Sequence, residues 1–155
     1  MTDPIIAKLA ARGLALPESC PPRALFRPWR RTGALLILAG QVNDVAGTPV
    51  PQGLVGREVT IEAAQAAAVV CVLNLLFHVA DACGGRLDRV RCWLRLGGFV
   101  AAEPGFAEAP LVINAASDLL IALYGDTGQH ARTAVAVAGL PGGAPVEIDA
   151  LLEVD

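Results

Sequence analysis

The residue best suited to chemistry is Arg132, which lies in the run from His130 to Pro141 among side chains no larger than valine or leucine. The run alternates as a strand of period two requires, with Thr133, Val135 and Val137 on one face and Arg132, Ala134, Ala136 and Ala138 on the other. From its own position to Ala138, Arg132 therefore shares its face with nothing larger than a methyl group. A guanidinium in such a setting leaves room for a planar anion, because its fork matches a carboxylate with two parallel N–H···O bonds. The alternative is an arginine that pairs with a local acid or reaches solvent at the strand end. His130 lies two residues earlier on the same face, where it supplies a further donor or simply occupies a turn.

Other chemistries find few candidates. Cys20, Cys71, Cys83 and Cys92 show no CxxC spacing, so neither a zinc site nor a redox pair is expected. They read as small core residues of a chain kept in a reducing cytoplasm. Lys8 is the sole lysine, which leaves a Schiff base, a pyridoxal phosphate anchor or a P-loop without its residue, and no cofactor is expected. Arg23, Arg27, Arg30 and Arg31 cluster, but the net charge of −3 argues against a nucleic-acid footprint. A solvated strand edge accounts for them. Asn74, His78 and Asp81 fall on one stripe of a helix, read as its solvated side.

The elements that must position Arg132 follow from the pattern. Ile5 to Leu14 reads as a short amphipathic helix ended by Gly13, and Pro17, Pro21 and Pro22 then bar regular structure. Two strands, Ala24 to Trp29 and Ala34 to Gln41, flank a turn at Arg31-Thr32-Gly33, and a loop runs from Asn43 to Gly56. Thr60 caps a long buried helix from Ile61 to Cys83, stopped by Gly84 and Gly85. A strand from Arg86 to Val100 and a second helix from Asn114 to Tyr124 follow, with Asn114, Ser117 and Asp118 as capping residues. The last segment reads as a hairpin of Ala131–Gly139 with Val146–Val154, the latter setting Val146, Ile148, Ala150, Leu152 and Val154 against Glu147, Asp149 and Glu153. The order is α+β, with two long helices covering one face of a mixed sheet.

At 155 residues one domain with a substantial core is expected. The hydrophobic share of 54% against 17% charged exceeds what one core comfortably absorbs, so burial between copies of the chain is the natural outlet. The most apolar stretch, Ala66 to Ala80, falls short of the roughly 18 residues of a membrane span and carries Asn74 and His78. The N-terminus, with Asp3 and Pro4 and no long apolar run, reads as lacking a secretory leader.

The stretch His130-Ala-Arg132-Thr-Ala-Val, then Leu140-Pro141, then Val146-Glu147-Ile148 resembles the C-terminal signature of the RidA (YjgF-type) family, the reactive intermediate deaminases. Gly33 to Gln41, the long helix with Asn74, and Leu87-Asp88-Arg89-Val90 are similar as well. The resemblance spans Leu25 to Val154. It divides the chain into an N-terminal extension, 1–23, and a RidA-like domain, 24–155; the extension and the longer segment from Phe106 to Gly128 resemble a subgroup of larger members. It implies a chorismate-mutase-like fold, a homotrimer with a central barrel, and ligand clefts between subunits. The implied reaction is hydrolytic deamination of enamine or imine acids such as 2-aminoacrylate to 2-keto acids and ammonia. In that reading Arg132 clamps the carboxylate and Glu147 handles the water or the leaving nitrogen. Four positions depart from the family pattern: Phe26 stands for a tyrosine, Ala39 for a serine or threonine, Ala134 for a cysteine and Gly97 for an asparagine. The substrate-binding set is then Arg132, Phe26, Ala39, Gly97, Ala134 and His130, with the nitrogen-handling half less polar.

Two other functions remain open: a trimeric binding protein for small carboxylate metabolites or a regulatory partner, and an endoribonuclease. For the last the acidic chain offers little. A hairpin turning near Gly142 would set Arg132 opposite about Leu152. Its meeting with Glu147 then depends on a bulge, a long loop or a neighbouring subunit.

Overall fold

The computed structural model describes residues 3–155. The chain runs α1 (Pro4–Ala10), β1 (Trp29–Thr32), β2 (Leu35–Val42), β3 (Asp44–Val45), β4 (Thr48–Pro49), α2 (Ile61–Ala82), β5 (Val90–Ala101), α3 (Ala109–Tyr124), β6 (Ala131–Val137) and β7 (Val146–Val154). Five strands form one sheet in the order β1-β2-β7-β5-β6, antiparallel except for the parallel β5–β6 pair. The fold is the expected α+β arrangement, a mixed sheet with α2 and α3 packed on one face.

The hairpin read from the sequence between Ala131–Gly139 and Val146–Val154 does not form. β5 lies between β6 and β7, bonded to both, so β6 is an edge strand. Its near neighbours in sequence lose to a twelve-residue apolar strand that can be buried on both sides, while β6, with small alanines and one arginine, suits an edge. Two boundaries also move. β1 starts at Trp29, leaving Phe26 in the irregular segment before it, and α3 starts at Ala109 with Pro110 in its first turn, where the missing N–H costs nothing. Asn114, Ser117 and Asp118 are therefore interior to α3 and not caps.

Thr60 does cap α2: its hydroxyl accepts from the Ala63 N–H at 3.1 Å. The helix is apolar nearly all round and buries Ala64, Ala67, Ala68, Cys71, Val72, Leu75, Leu76 and Val79 in the core. At 22 residues it is long and apolar enough to cross a membrane by length and composition, against the shorter run expected. Here it is the core helix of the sheet. Asn74 and His78, expected to be solvated, are buried. Asn74 donates to the main-chain oxygens of Val42 and Asp44, at 3.0 and 3.1 Å, whereas His78 Nε2 has no hydrogen-bond partner among the described residues. Cys71 and Cys83 are core residues as expected; Cys20 and Cys92 are only half-buried.

Two close approaches seat α3. Gly98 lies under Ile113, where a Cβ would come within 2.6 Å of Cγ1, and Gly128 leaves no room for one beside the Leu120 carbonyl. At the other end α1 docks on α3 and the turn Leu87–Arg89. Asp3 accepts from Ile5 at its own helix start and from the Leu87 N–H at 2.7 Å, Lys8 donates to the Leu123 carbonyl, and Ile5 and Leu9 are buried. The sheet's second face carries no layer. On it lie Leu35, Ile37 and Val135, 40%, 50% and 42% exposed, beside Glu147, Asp149 and Arg95.

Candidate functional site

The candidate residues gather in two places. The first surrounds Glu147 on the uncovered face. A bulge between Leu38 and Gln41 interrupts the pairing of β2 with β7 and places Gly40 against Val42's partner, Glu147. A Cβ on Gly40 would overlap Glu147 Oε1, so the glycine gives the carboxylate its place. Around it lies a cavity of about 320 Å³, walled by Phe26, Gly40, Gln41, Pro141 and the irregular segment Pro21–Ala24. Burial first, then the nearby Asp149 carboxylate, raises the Glu147 pKa above the ordinary 4.5. Among the described residues no cation pairs with it. Asp149 instead pairs with Arg95 at 3.1 Å, and the two share the space that a Gly97 side chain would fill.

Arg23, expected on a solvated edge, pins this wall. Its Nε donates to Asp44 Oδ2 at 2.6 Å and its Nη2 to the other Asp44 oxygen and to the Gly47 carbonyl. Ala39 sits on the bulge, bonded through its N–H to the Pro28 carbonyl at 2.9 Å. It is next to the cavity but does not line it.

The second place is the β6 edge. Arg132 turns to the helix side, with Ala134 behind it packed on the core. Its Nη1 donates to Asn114 Oδ1 at 2.9 Å and Ser117 Oγ at 3.1 Å, and its Nη2 to the Pro110 carbonyl at 3.4 Å. No acid pairs with it among the described residues, so the local salt bridge weighed from the sequence does not form. His130 Nε2 lies 3.0 Å from the same Ser117 hydroxyl, and His130 Nδ1 lies 2.7 Å from the Gly128 carbonyl. Burial lowers the His130 pKa, the Gly128 carbonyl raises it, and Arg132 lowers it again.

The two places do not meet within one chain. Arg132 pairs with Leu96, and Leu96 with Ala150, whereas Glu147 pairs with Phe99 and Phe99 with Val135. An offset of three residues along and two strands across separates the Cα atoms by about 14 Å. The side chains also leave opposite faces. The structure thus gathers Phe26 with Glu147, and His130 with Arg132 and Ala134, and leaves Gly97 under Asp149. The roles missed from the sequence are those of Asn114 and Ser117, read as caps, whose three-residue spacing puts them on one helix face once α3 is seen to begin at Ala109, and of Arg23, whose partner is 21 residues away and left no local signal.

Residues 6–145 match the family profile described as "YjgF/chorismate_mutase-like, putative endoribonuclease". The chain belongs to the YjgF family. Protein TCP17 of Trypanosoma cruzi is 39% identical over 97% of this chain and 94% of its own length. The crystal structure of Atu1372 from Agrobacterium tumefaciens, a protein with unknown function, is 41% identical with a TM-score of 0.90, covering 98% of this chain and 92% of that one. The crystal structure of a putative endoribonuclease from Shewanella oneidensis is 28% identical with a TM-score of 0.91, covering 99% of this chain and 100% of that one. These similarities run through the N-terminal segment as well as the sheet.

Proposed function

We propose that this YjgF-family protein hydrolyses small reactive imine or enamine acids of the 2-aminoacrylate type to 2-keto acids and ammonia, as a homotrimer with clefts between subunits. The observation that carries this reading is the pair of half-sites. One is an arginine without an acidic partner, fixed on an open sheet edge. The other is a half-buried carboxylate with a raised pKa, beside a cavity. Since they leave opposite faces of one sheet, a cleft using both takes them from two copies. The uncovered face bearing Leu35, Ile37 and Val135 supports such an assembly.

In that cleft the Arg132 fork holds the substrate carboxylate. An enamine first takes a proton at carbon to become the imine. Glu147 then accepts a proton from water as the water oxygen bonds to the imine carbon, and hands it to nitrogen, giving a carbinolamine. The hydroxyl proton follows through Glu147 to the same nitrogen as the C=O bond forms and the C–N bond breaks, releasing ammonia and the 2-keto acid. A carboxyl with a raised pKa suits this exchange, and most of the gain comes from positioning. Escherichia coli TdcF, 18% identical and alike in fold with a TM-score of 0.59, was solved with bound serine, a small molecule bearing the same carboxylate handle.

Phe26, Ala39, Gly97 and Ala134 offer no polar side-chain group, which favours a second reading: the cleft binds a small carboxylate metabolite, or a regulatory partner, without turnover. One assay separates the two. With 2-aminoacrylate generated in situ by a dehydratase, the protein accelerates keto acid release, Glu147→Gln slows it by about 10²- to 10⁴-fold, and Arg132→Ala abolishes binding as well. If several parent amino acids give no acceleration over buffer while pyruvate still raises the melting temperature, the binding reading replaces the catalytic one.

A further inference from the structure

Arg132 is more constrained than an edge arginine usually is, and its constraints leave one side of it open. A guanidinium has five N–H donors and no acceptor. Both Nη1 hydrogens are taken, by Asn114 Oδ1 and Ser117 Oγ, and one Nη2 hydrogen goes to the Pro110 carbonyl. The donors left are Nε–H and the second Nη2–H. Nε–H and the Nη2 hydrogen on its side share one edge of the guanidinium plane, the fork that meets a carboxylate with two parallel bonds.

With a neutral His130, the chain behind Arg132 has a definite proton arrangement. His130 Nδ1 is 2.7 Å from a carbonyl oxygen and so must carry the hydrogen. Burial of His130 favours the neutral ring, in which Nε2 is the acceptor and the Ser117 hydroxyl, 3.0 Å away, donates to it. With its hydrogen committed, the Ser117 oxygen presents lone pairs toward Arg132 Nη1 at 3.1 Å. Each link from Arg132 Nη1 through Ser117 and His130 to the Gly128 carbonyl then pairs one donor with one acceptor. Such a chain fixes a rotor that water alone would leave free.

We propose that Ser117, Asn114 and His130 are positioning residues that hold Arg132 with its Nε–Nη2 edge free for the substrate carboxylate. The inference rests on the reading of Arg132 as the carboxylate-binding group. Ser117 is the pivot, because it alone bonds both Arg132 and His130. α3 supplies Asn114 and Ser117 from adjacent positions on one face, and the turn at Gly125–Gly128 supplies the carbonyl that sets the histidine tautomer. None of these three side chains needs to touch the reacting carbon.

Two measurements on the full chain decide it. The first needs no ligand: in 15N–1H spectra the Arg132 Nη protons appear as resolved, slowly rotating resonances in the wild type, collapse to an averaged signal in Ser117→Ala, and return in Ser117→Thr. An averaged signal in the wild type overturns the proposal. The second is pyruvate affinity by calorimetry, well below each variant's melting temperature. Ser117→Ala and His130→Phe bind about tenfold more weakly, the loss expected when one charge-assisted contact is misaligned, and Ser117→Thr restores binding. Wild-type affinity in Ser117→Ala and His130→Phe overturns the positioning role. A wild type with resolved Arg132 resonances but no affinity for pyruvate upholds the positioning of Arg132 and contradicts the assigned substrate class instead.

Discussion

At the scale of single residues, the carboxylate of Glu147 owes its position to an absence. Gly40 lacks a positive φ and tolerates alanine in backbone terms, but the added Cβ would take the place of Glu147 Oε1, its three nearest neighbours all being atoms of that flexible side chain. Gly40→Ala should therefore change the unfolding free energy by less than about 1 kcal/mol, while a carboxylate moved by about 1 Å lowers turnover roughly a hundredfold. Parallel urea titrations and keto acid assays check this; equal losses in both would mean that Gly40 serves folding alone. His78 makes a separate statement about pH. Burial lowers its native pKa below the ordinary 6.5, opposed by Asp81, so the unfolded chain takes up its proton first. The contribution of His78 to stability is whole above 6.5 and is lost as the pH falls from there toward the lowered native value. His78→Gln should flatten that part of the stability–pH curve, as followed by urea midpoints, leaving a residue due to His130, whose pKa is lowered in the same direction.

At the scale of elements, the seat of α3 decides where Asn114 and Ser117 stand relative to β6. Gly98→Ala drives a methyl group to 2.6 Å from Ile113 Cγ1, an overpacking that should cost about 1–3 kcal/mol. Adding Ile113→Val should recover part of it in the same denaturation experiment, and full additivity of the two changes would contradict the contact. Much of this layer was legible beforehand. The alternation that puts Arg132 with Ala134 and Ala136 follows from strand geometry alone, and Thr60, Gly84 and Gly85 delimit α2 through local chemistry. What escaped was non-local. Nothing in the run Ala131–Val137 says that β5 intervenes before β7, because strand order is settled by which strands can be buried on both faces. The expected exposure of Asn74 and His78 failed for a similar reason: Asn74 turns inward to serve the Val42 and Asp44 carbonyls where β2 ends, a need visible only once that strand is in place. At the site, Arg132 and Glu147 were legible as residue types at a spacing. Their opposite faces were hidden by the false hairpin.

At the scale of the whole molecule, the uncovered sheet face and the edge strand β6 set the terms. Arg132 on the helix side of β6 and Glu147 on the open face, about 14 Å apart, cannot serve one substrate in one chain. The proposed cleft between subunits would remove the conflict, each cleft of a closed ring taking Arg132 from one copy and Glu147 from the next. Mixed assemblies test this most directly. Arg132→Ala and Glu147→Gln are each inactive alone, but when the two variants are unfolded together and reassembled in equal amounts, a cleft with both native residues forms wherever a Glu147→Gln copy offers its arginine to an Arg132→Ala copy. Random exchange makes about one cleft in four complete, so keto acid release should recover to about a quarter of the wild-type rate. A mixture that stays at the level of its inactive parents, while wild type carried through the same procedure regains activity, would contradict a cleft that joins Arg132 of one subunit to Glu147 of another.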